Sequence, residues 1–350
     1  MHAGMIMSWT HQHGVIVGAL LWGLVAASAT AAQEKDDAAA TAAYQEQLFQ
    51  KTMSLHPKQH SFSGHSGPWL ENVFYDAWIS LKPRTSRIFV PVAWTDAMHV
   101  STLKLHMQQV LNQLNPKFKY FTVVQAGHGF KHPKLALYVP SHIDFILFSA
   151  GGDSPPLKTV PVPLLKEELR PVGLAKSITA SSQCEIGNHG VRRALQARYN
   201  SSYLFLAQSD DWRTITESSN FSFCPRGYGP TSFRLYETLQ LGTIPIYVWE
   251  EEKWLAFEDR VNWEEIAIVV ESHDIDRIDS RIAKADVDSM KAAVVKHRHL
   301  FTYEFTIQYI LDSVTEDREG IPVLHPVKKQ AGAALRTRRL GSRRGNVALT

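Results

Sequence analysis

Only two cysteines, Cys184 and Cys224, occur in 350 residues, and two thiols at that spacing make no metal site. Each lies near the end of an apolar, strand-like run. In an oxidising compartment they can form a disulfide, and the other reading is two buried free thiols. The chain shows no repeat with a period of about 20–50 residues, which excludes solenoids and propellers. Past residue 33 no stretch is apolar enough to span a membrane. Acidic residues are missing from one segment: between Lys328 and Arg344 stand seven Lys or Arg and no Asp or Glu. Of 37 basic residues, 30 then remain against 34 acidic ones, so the overall +3 conceals a body near −4. A body of that sign is no nucleic-acid binder. The stretch 326–350 reads as a basic, disordered tail rather than a binding arm.

What is present describes a globular protein long enough for two domains, with 44% hydrophobic and 20% charged residues. GVIVGALLWGLVAASATAA (14–32) is uncharged, and no Lys or Arg precedes it. Its strongly apolar part, Val15 to Val25, has the length of a signal-peptide core, and Ala27-Ser28-Ala29 and Ala29-Thr30-Ala31 offer small-x-small cleavage patterns. Residues 1–33 are therefore expected to be a signal peptide or an uncleaved signal anchor. The mature part then faces the lumen, either as a single-pass type II protein or as a soluble one. Asn200-Ser201-Ser202 and Asn220-Phe221-Ser222 are glycosylation sequons, in keeping with a secretory route.

Residues 34–66 read as a stem or linker, rich in Ala, Gln and Lys over 34–60, where a short helix is one reading. RIFVPVAW (87–94), KYFTVVQ (119–125) and HIDFILFSA (142–150) read as strands, and STLKLHMQQVLNQL (101–114) as an amphipathic helix. SPPLKTVPVPLL (154–165) is dense in proline and reads as the interdomain linker. The pattern then restarts with SITASSQC (177–184), VRRALQAR (191–198) and NFSFC (220–224), and helical text runs from about 287 to 314. The expected organisation is α/β, with Rossmann-like units over 67–165 and 166–325 facing a cleft.

SFCPRGYGPTSFRLYETLQLGTIPIYV (222–248) carries the most chemistry. It reads as a strand ended by Pro225, a turn with Gly227 and Gly229, a helix that Thr231 or Ser232 can cap, Gly242 at the helix end, and another strand. Glycines at a helix N-terminus suit phosphate, and Arg226 and Arg234 add two planar cations. Glu237 lies one turn beyond Arg234, either as an intrahelical ion pair or as a carboxylate for the hydroxyls of a ribose. Gly227-Tyr228-Gly229-Pro230-Thr231-Ser232 nearly spells a dinucleotide fingerprint, with Glu250 downstream, but Ser232 stands where the third glycine belongs. No Gly-Lys-Ser/Thr follows the turn, which excludes a P-loop.

CPRGYGPTSFRLYETLQLGTIPIYV together with FEDRVNWEEIAIVV (257–270) resembles the C-terminal signature of the exostosin-type glycosyltransferases, family 47. YFTVVQAGHGF, FSAGG and HGVRRAL extend the resemblance more loosely, over roughly residues 67–310. The resemblance implies a B-type glycosyltransferase fold. It also implies inverting transfer from a nucleotide-sugar, here a UDP-sugar, to a polysaccharide or glycoprotein glycan in the Golgi, without a cofactor or an essential metal. Carried over, Arg226 and Arg234 hold the donor diphosphate and Glu237 the ribose. Ser232 and Arg192 are further donor-binding candidates.

Inversion calls for a general base on the acceptor side, and the signature contains none. His128, in the glycine-flanked loop after a strand, is the first candidate; Asp144 and Glu71 are the alternatives. Trp249, Trp254 and Trp263 are candidates for stacking on sugar, and the NW segment of the resemblance points to Trp263 as a core residue instead. A second reading is a catalytically silent subunit that binds nucleotide-sugar or glycan within a synthase complex, formed with a related transferase.

Overall fold

A computed structural model describes residues 36–57, 68–185, 189–206 and 209–315. The expected signal segment (1–33), the stem residues 34–35 and 58–66, and the basic tail (326–350) lie outside the described residues.

A helix is present in the stem stretch, but it packs on the first half instead of standing free as a linker. Residues 36–52 form a helix, α1, and Leu48 and Leu55 are buried in one core with Val90, Leu111 and Leu147. One side chain explains the attachment. Gln45 Nε2 donates to the Phe89 carbonyl at 2.9 Å, and its Oε1 accepts from Phe89 N–H at 2.8 Å. Phe89 lies in an edge strand, so Gln45 pairs backbone groups that would otherwise face solvent.

The first half contains α2 (Leu70–Leu81), β1 (Ile88–Phe89), α3 (Leu103–Asn112), β2 (Tyr120–Val124), β3 (Phe145–Ser149) and β4 (Lys158–Pro161). Its four strands are parallel, in the order β1-β2-β3-β4. Every residue of β2 and β3 is buried, as expected of central parallel strands covered on both faces. The run 87–94 pairs over only two residues, because Pro91 cannot donate to a ladder. The proline-rich stretch is more than a connection. Lys158–Pro161 pairs with β3 as the edge strand, where a proline is tolerated.

The second half contains β5 (Ile178–Gln183), α4 (Gly190–Tyr199), β6 (Leu204–Leu206), α5 (Trp212–Glu217), β7 (Ser219–Pro225), α6 (Phe233–Gln240), β8 (Ile244–Trp249), α7 (Trp263–Ile266), β9 (Ile268–Glu271), α8 (Ile278–Lys284) and α9 (Val287–His297). Its strands are also parallel, in the order β6-β5-β7-β8-β9. The winding reverses between β5 and β7. In open α/β sheets the crevice beyond the carboxyl ends of such strands is where ligands bind.

The final described helix, α10 (Tyr303–Val314), returns to the first half. Ile310, Leu311 and Val314 pack with Leu70, Phe74 and Phe121, and Ser86 binds the Val314 carbonyl through both N–H and hydroxyl. Residues that follow the second sheet in sequence thus complete the first sheet's core.

Candidate active site

The two halves meet through glycine. A β-carbon on Gly127 would lie 3.1 Å from Gly229 N, and one on Gly152 3.1 Å from the Pro230 ring. The turn after β7 therefore rests against the turns after β2 and β3. Its glycines admit the backbone of the opposite half, a use that local sequence does not reveal. Two further contacts close the seam: His128 Nε2 lies 3.2 Å from the Tyr228 carbonyl, and Trp254 Nε1 donates to the Ser149 carbonyl at 3.2 Å.

Beside this seam lies a cavity of about 510 Å³ at the carboxyl ends of both sheets. The first half contributes Thr95, His99 and Gln125, and the second contributes Gln183, Arg192, Trp212 and the turn from Gly227 to Glu237. The cavity therefore sits at the β5/β7 reversal, where the topology calls for a ligand.

Arg234, in the first turn of α6, is held from two sides. Its guanidinium lies 4.1 Å from the centre of the Trp212 ring, and its Nε is 3.6 Å from a Glu237 carboxylate oxygen. Nη1 is buried and has no hydrogen-bond partner among the described residues. Glu237 is itself buried, and burial raises its pKa against the opposing pull of Arg234. Ser232 has the extended backbone of an N-cap, but its side chain makes no capping bond, and the Oγ is buried without a partner. The expected cap by hydroxyl is absent from this helix.

Arg192 lines the cavity and donates through Nε to the Arg226 carbonyl at 3.1 Å and through Nη1 to the Glu185 carbonyl at 2.8 Å. It thus braces the ends of β5 and β7 together. Arg226 lies elsewhere. It is 4% exposed behind the turn, with Nη1 at 3.2 Å from a Glu251 carboxylate oxygen and 3.3 Å from the Glu250 carbonyl, and it takes no part in the cavity wall. The two arginines that the sequence sets on either side of the turn face different surroundings.

The three candidate bases separate as well. Asp144 stands at the amino end of β3, half-exposed and 2.7 Å from Arg87, whose hydrogen bond holds its carboxyl below the usual range. A parallel strand puts that end opposite the cavity, so Asp144 is removed from the chemistry. Glu71 is buried beneath the wall and accepts from Thr95 N–H at 3.0 Å, from the Thr95 hydroxyl and from Gln125 N–H at 2.9 Å. Burial pushes its pKa up to about 8 while those donors pull it down. It positions two wall residues and does not reach the cavity itself. His128 has a left-handed backbone, φ 64°, and turns its ring to the Tyr228 carbonyl. The imidazole in the wall is instead His99, lying near-parallel to Trp69.

Of the two readings of the cysteines, the second holds. Cys184 and Cys224 are free thiols. Cys224 is buried against Thr238 under α6, and Cys184 faces the cavity at the end of β5. Neither Trp254 nor Trp263 can stack on sugar: both are 5% exposed, and Trp263 Nε1 donates to the Ala256 carbonyl at 2.9 Å. Trp249 is partly buried at the end of β8 and packs against the second-half core. The tryptophans in the wall are Trp69 and Trp212, with Tyr228 and Phe233 beside them. Asn200 is exposed at the end of α4, whereas Asn220 lies half-buried within the central strand β7. Among the described residues there is no group of three or more His, Cys, Asp or Glu placed to hold a metal ion.

Trp212, Gln125 and Gln183 escaped the sequence reading. A signal was available for the glutamines: KYFTVVQ and SITASSQ are strands that each end on one, and in parallel sheets that end is the functional one.

Residues 146–285 match the Exostosin GT47 domain. A probable glucuronosyltransferase of Oryza sativa subsp. japonica is 31% identical over 104 residues, 29% of this chain and 24% of that protein. The probable beta-1,4-xylosyltransferase IRX10 of Arabidopsis thaliana is 32% identical over 94 residues, 26% and 23% of the two chains. The matched stretch thus spans about a quarter of those relatives' length. Among solved structures, the GtfA/B complex aligns with TM-score 0.37 and 11% identity over 59% of this chain and 55% of the other. TarM aligns with TM-score 0.37 and 8% identity over 60% and 52%.

Proposed function

Taking residues 146–285 as an exostosin GT47 domain, we propose that the protein is an inverting glycosyltransferase that moves a sugar from a UDP-sugar to a polysaccharide or glycoprotein glycan. One observation carries this reading: Arg234 is clamped between Trp212 and Glu237 at the cavity, with a buried Nη1 left for a ligand. A guanidinium fixed in that way suits the oxygens of a diphosphate.

In the proposed reaction an acceptor hydroxyl oxygen attacks the anomeric carbon, and the bond to the diphosphate oxygen breaks on the opposite face. The electron pair leaves with the nucleoside diphosphate. Arg234, Arg192, Ser232 and the N-terminus of α6 take up the charge that develops there. Glu237 accepts hydrogen bonds from the ribose. The hydroxyl proton passes to His99, which lies on the acceptor half of the same cavity. In this reading protein cations and helix N–H groups serve the leaving group without a cofactor.

We place the reaction in the Golgi lumen on the strength of the apolar segment 14–32 and the sequon at the exposed Asn200. That segment is the membrane attachment we propose, and a related transferase is the partner we propose for a synthase complex.

The test is incubation of the full chain with a panel of nucleotide sugars and glycan acceptors. Transfer by the wild type that is lost in Arg234→Ala is the expected result. Arg226→Ala is a poorer probe, since it disturbs buried pairs outside the wall. Donor binding without turnover under any acceptor condition would overturn the enzyme and leave a binding subunit.

A further inference from the structure

Gln125 and Gln183 end β2 and β5, one from each half, and both line the cavity. They are 3% and 2% exposed. Gln125 is pinned: its N–H donates to Glu71 at 2.9 Å, and its Oε1 accepts from Leu70 N–H at 2.6 Å. Its Nε2 has no protein partner among the described residues, and neither Oε1 nor Nε2 of Gln183 has one. A buried amide without a partner lowers the stability of the free protein, so these groups await a ligand that hydrogen-bonds to them.

The geometry points to the hydroxyls of an uncharged sugar as that ligand. On this basis, which rests on the donor reading above, the donor is a nucleoside diphosphate linked to a neutral hexose or pentose rather than to a uronic acid.

Two physical arguments separate those classes. A hydroxyl both donates and accepts, so it can satisfy Nε2 of either glutamine and Oε1 of Gln183. A carboxylate only accepts: it could take the two Nε2 donors but would leave the Gln183 Oε1 unpaired. Charge points the same way. With Glu237 ionised beside Arg234, the charged side chains of the wall are Lys166, Arg192 and Arg234 against Glu185 and Glu237. A diphosphate already exceeds that small positive balance. A uronate would add a further anion to a wall with no cation to match it, a costly placement in a confined site.

The test uses the full chain, with binding of UDP, UDP-glucose, UDP-xylose and UDP-glucuronic acid measured by calorimetry. UDP-glucose or UDP-xylose is expected to bind at least about tenfold more tightly than UDP-glucuronic acid, the effect of roughly one charged or two neutral hydrogen bonds. In Gln183→Leu that preference should shrink to less than about threefold while UDP binds as before, since one such group is removed. The free variant should melt no lower than the wild type, because an apolar isostere replaces an unpaired amide. Equal or tighter binding of UDP-glucuronic acid overturns the inference alone. A variant that melts lower yet keeps the wild-type preference assigns Gln183 a structural role and overturns it too. Failure of UDP itself to bind removes the donor reading and this inference together.

Discussion

A β-carbon on Gly229 would stand 2.9 Å from the Gly127 Cα and 2.8 Å from the Gly151 carbonyl oxygen. The turn that reads in sequence as a phosphate cradle is therefore also the seam between the two halves. Gly229→Ala should force the seam apart and destabilise the protein by about 1–3 kcal/mol, the usual cost of overpacking. Gly190→Ala, which would meet nothing within 4 Å, is the control. Thermal melts of the two variants check this, and equal midpoints would refute the contact.

Arg234 is held by stacking as much as by charge. Arg234→Lys keeps the charge and loses the planar face over Trp212, so UDP should bind about tenfold more weakly. Trp212→Ala should weaken UDP about 3- to 10-fold, and Trp212→Phe should restore most of it. Calorimetric titration reads both, and an unaltered affinity in Arg234→Lys would remove the stacked guanidinium from the site.

Asp144 and Arg87 form a partly exposed pair at the far end of the first sheet. Asp144→Asn should leave transfer intact and cost at most about 1 kcal/mol, as partly exposed pairs usually do. A large loss of turnover would instead restore it as a catalytic candidate. His99→Asn should abolish most transfer while donor binding persists.

His132 supplies a dependence on pH. It is buried, its Nδ1 accepts from Lys134 N–H at 3.1 Å, and its ring lies 5.2 Å from that of Tyr228. Burial lowers its pKa from 6.5 to about 4, helped by His128 and Lys134. The unfolded chain then binds a proton that the folded one refuses. The stabilisation is complete above pH 6.5 and is lost as pH falls towards 4. His132→Asn keeps an acceptor for Lys134 and should flatten that part of the stability profile. Denaturant titrations across this range would show an unchanged slope if His132 were not the group responsible.

The thiols give a chemical check. Cys224 is buried, and burial pushes its pKa up to about 12, so iodoacetamide should label Cys184 at the cavity wall and spare Cys224. UDP should slow the labelling of Cys184. Reductant should leave the melting point where it is, whereas a drop would reveal a disulfide.

Legibility followed the range of the interactions. Strands such as 145–149 were visible because central parallel strands are continuously apolar, and α6 because its turn, helix and Gly242 follow local rules. The prolines of 154–165 mislead for the same local reason. Whether a proline ends a strand or borders a sheet depends on which edge meets solvent, and that is settled by pairing partners far away in sequence. The stem failed likewise: Gln45 closes the edge at Phe89 across 44 residues.

Two parallel α/β units, an Arg-rich turn suited to phosphate and a resemblance to exostosin-type transferases can be read from the sequence. Periodicity, turn chemistry and motif spacing are properties of neighbouring residues. Which residues share the cavity follows from the packing of the two sheets. That packing put Arg234 in the wall and Arg226 behind it, sent Asp144 to the wrong end of its strand, and brought Gln125, Gln183, Trp212 and His99 together. The direction of a strand end and the face of a turn follow from how two sheets pack, and no local pattern encodes that.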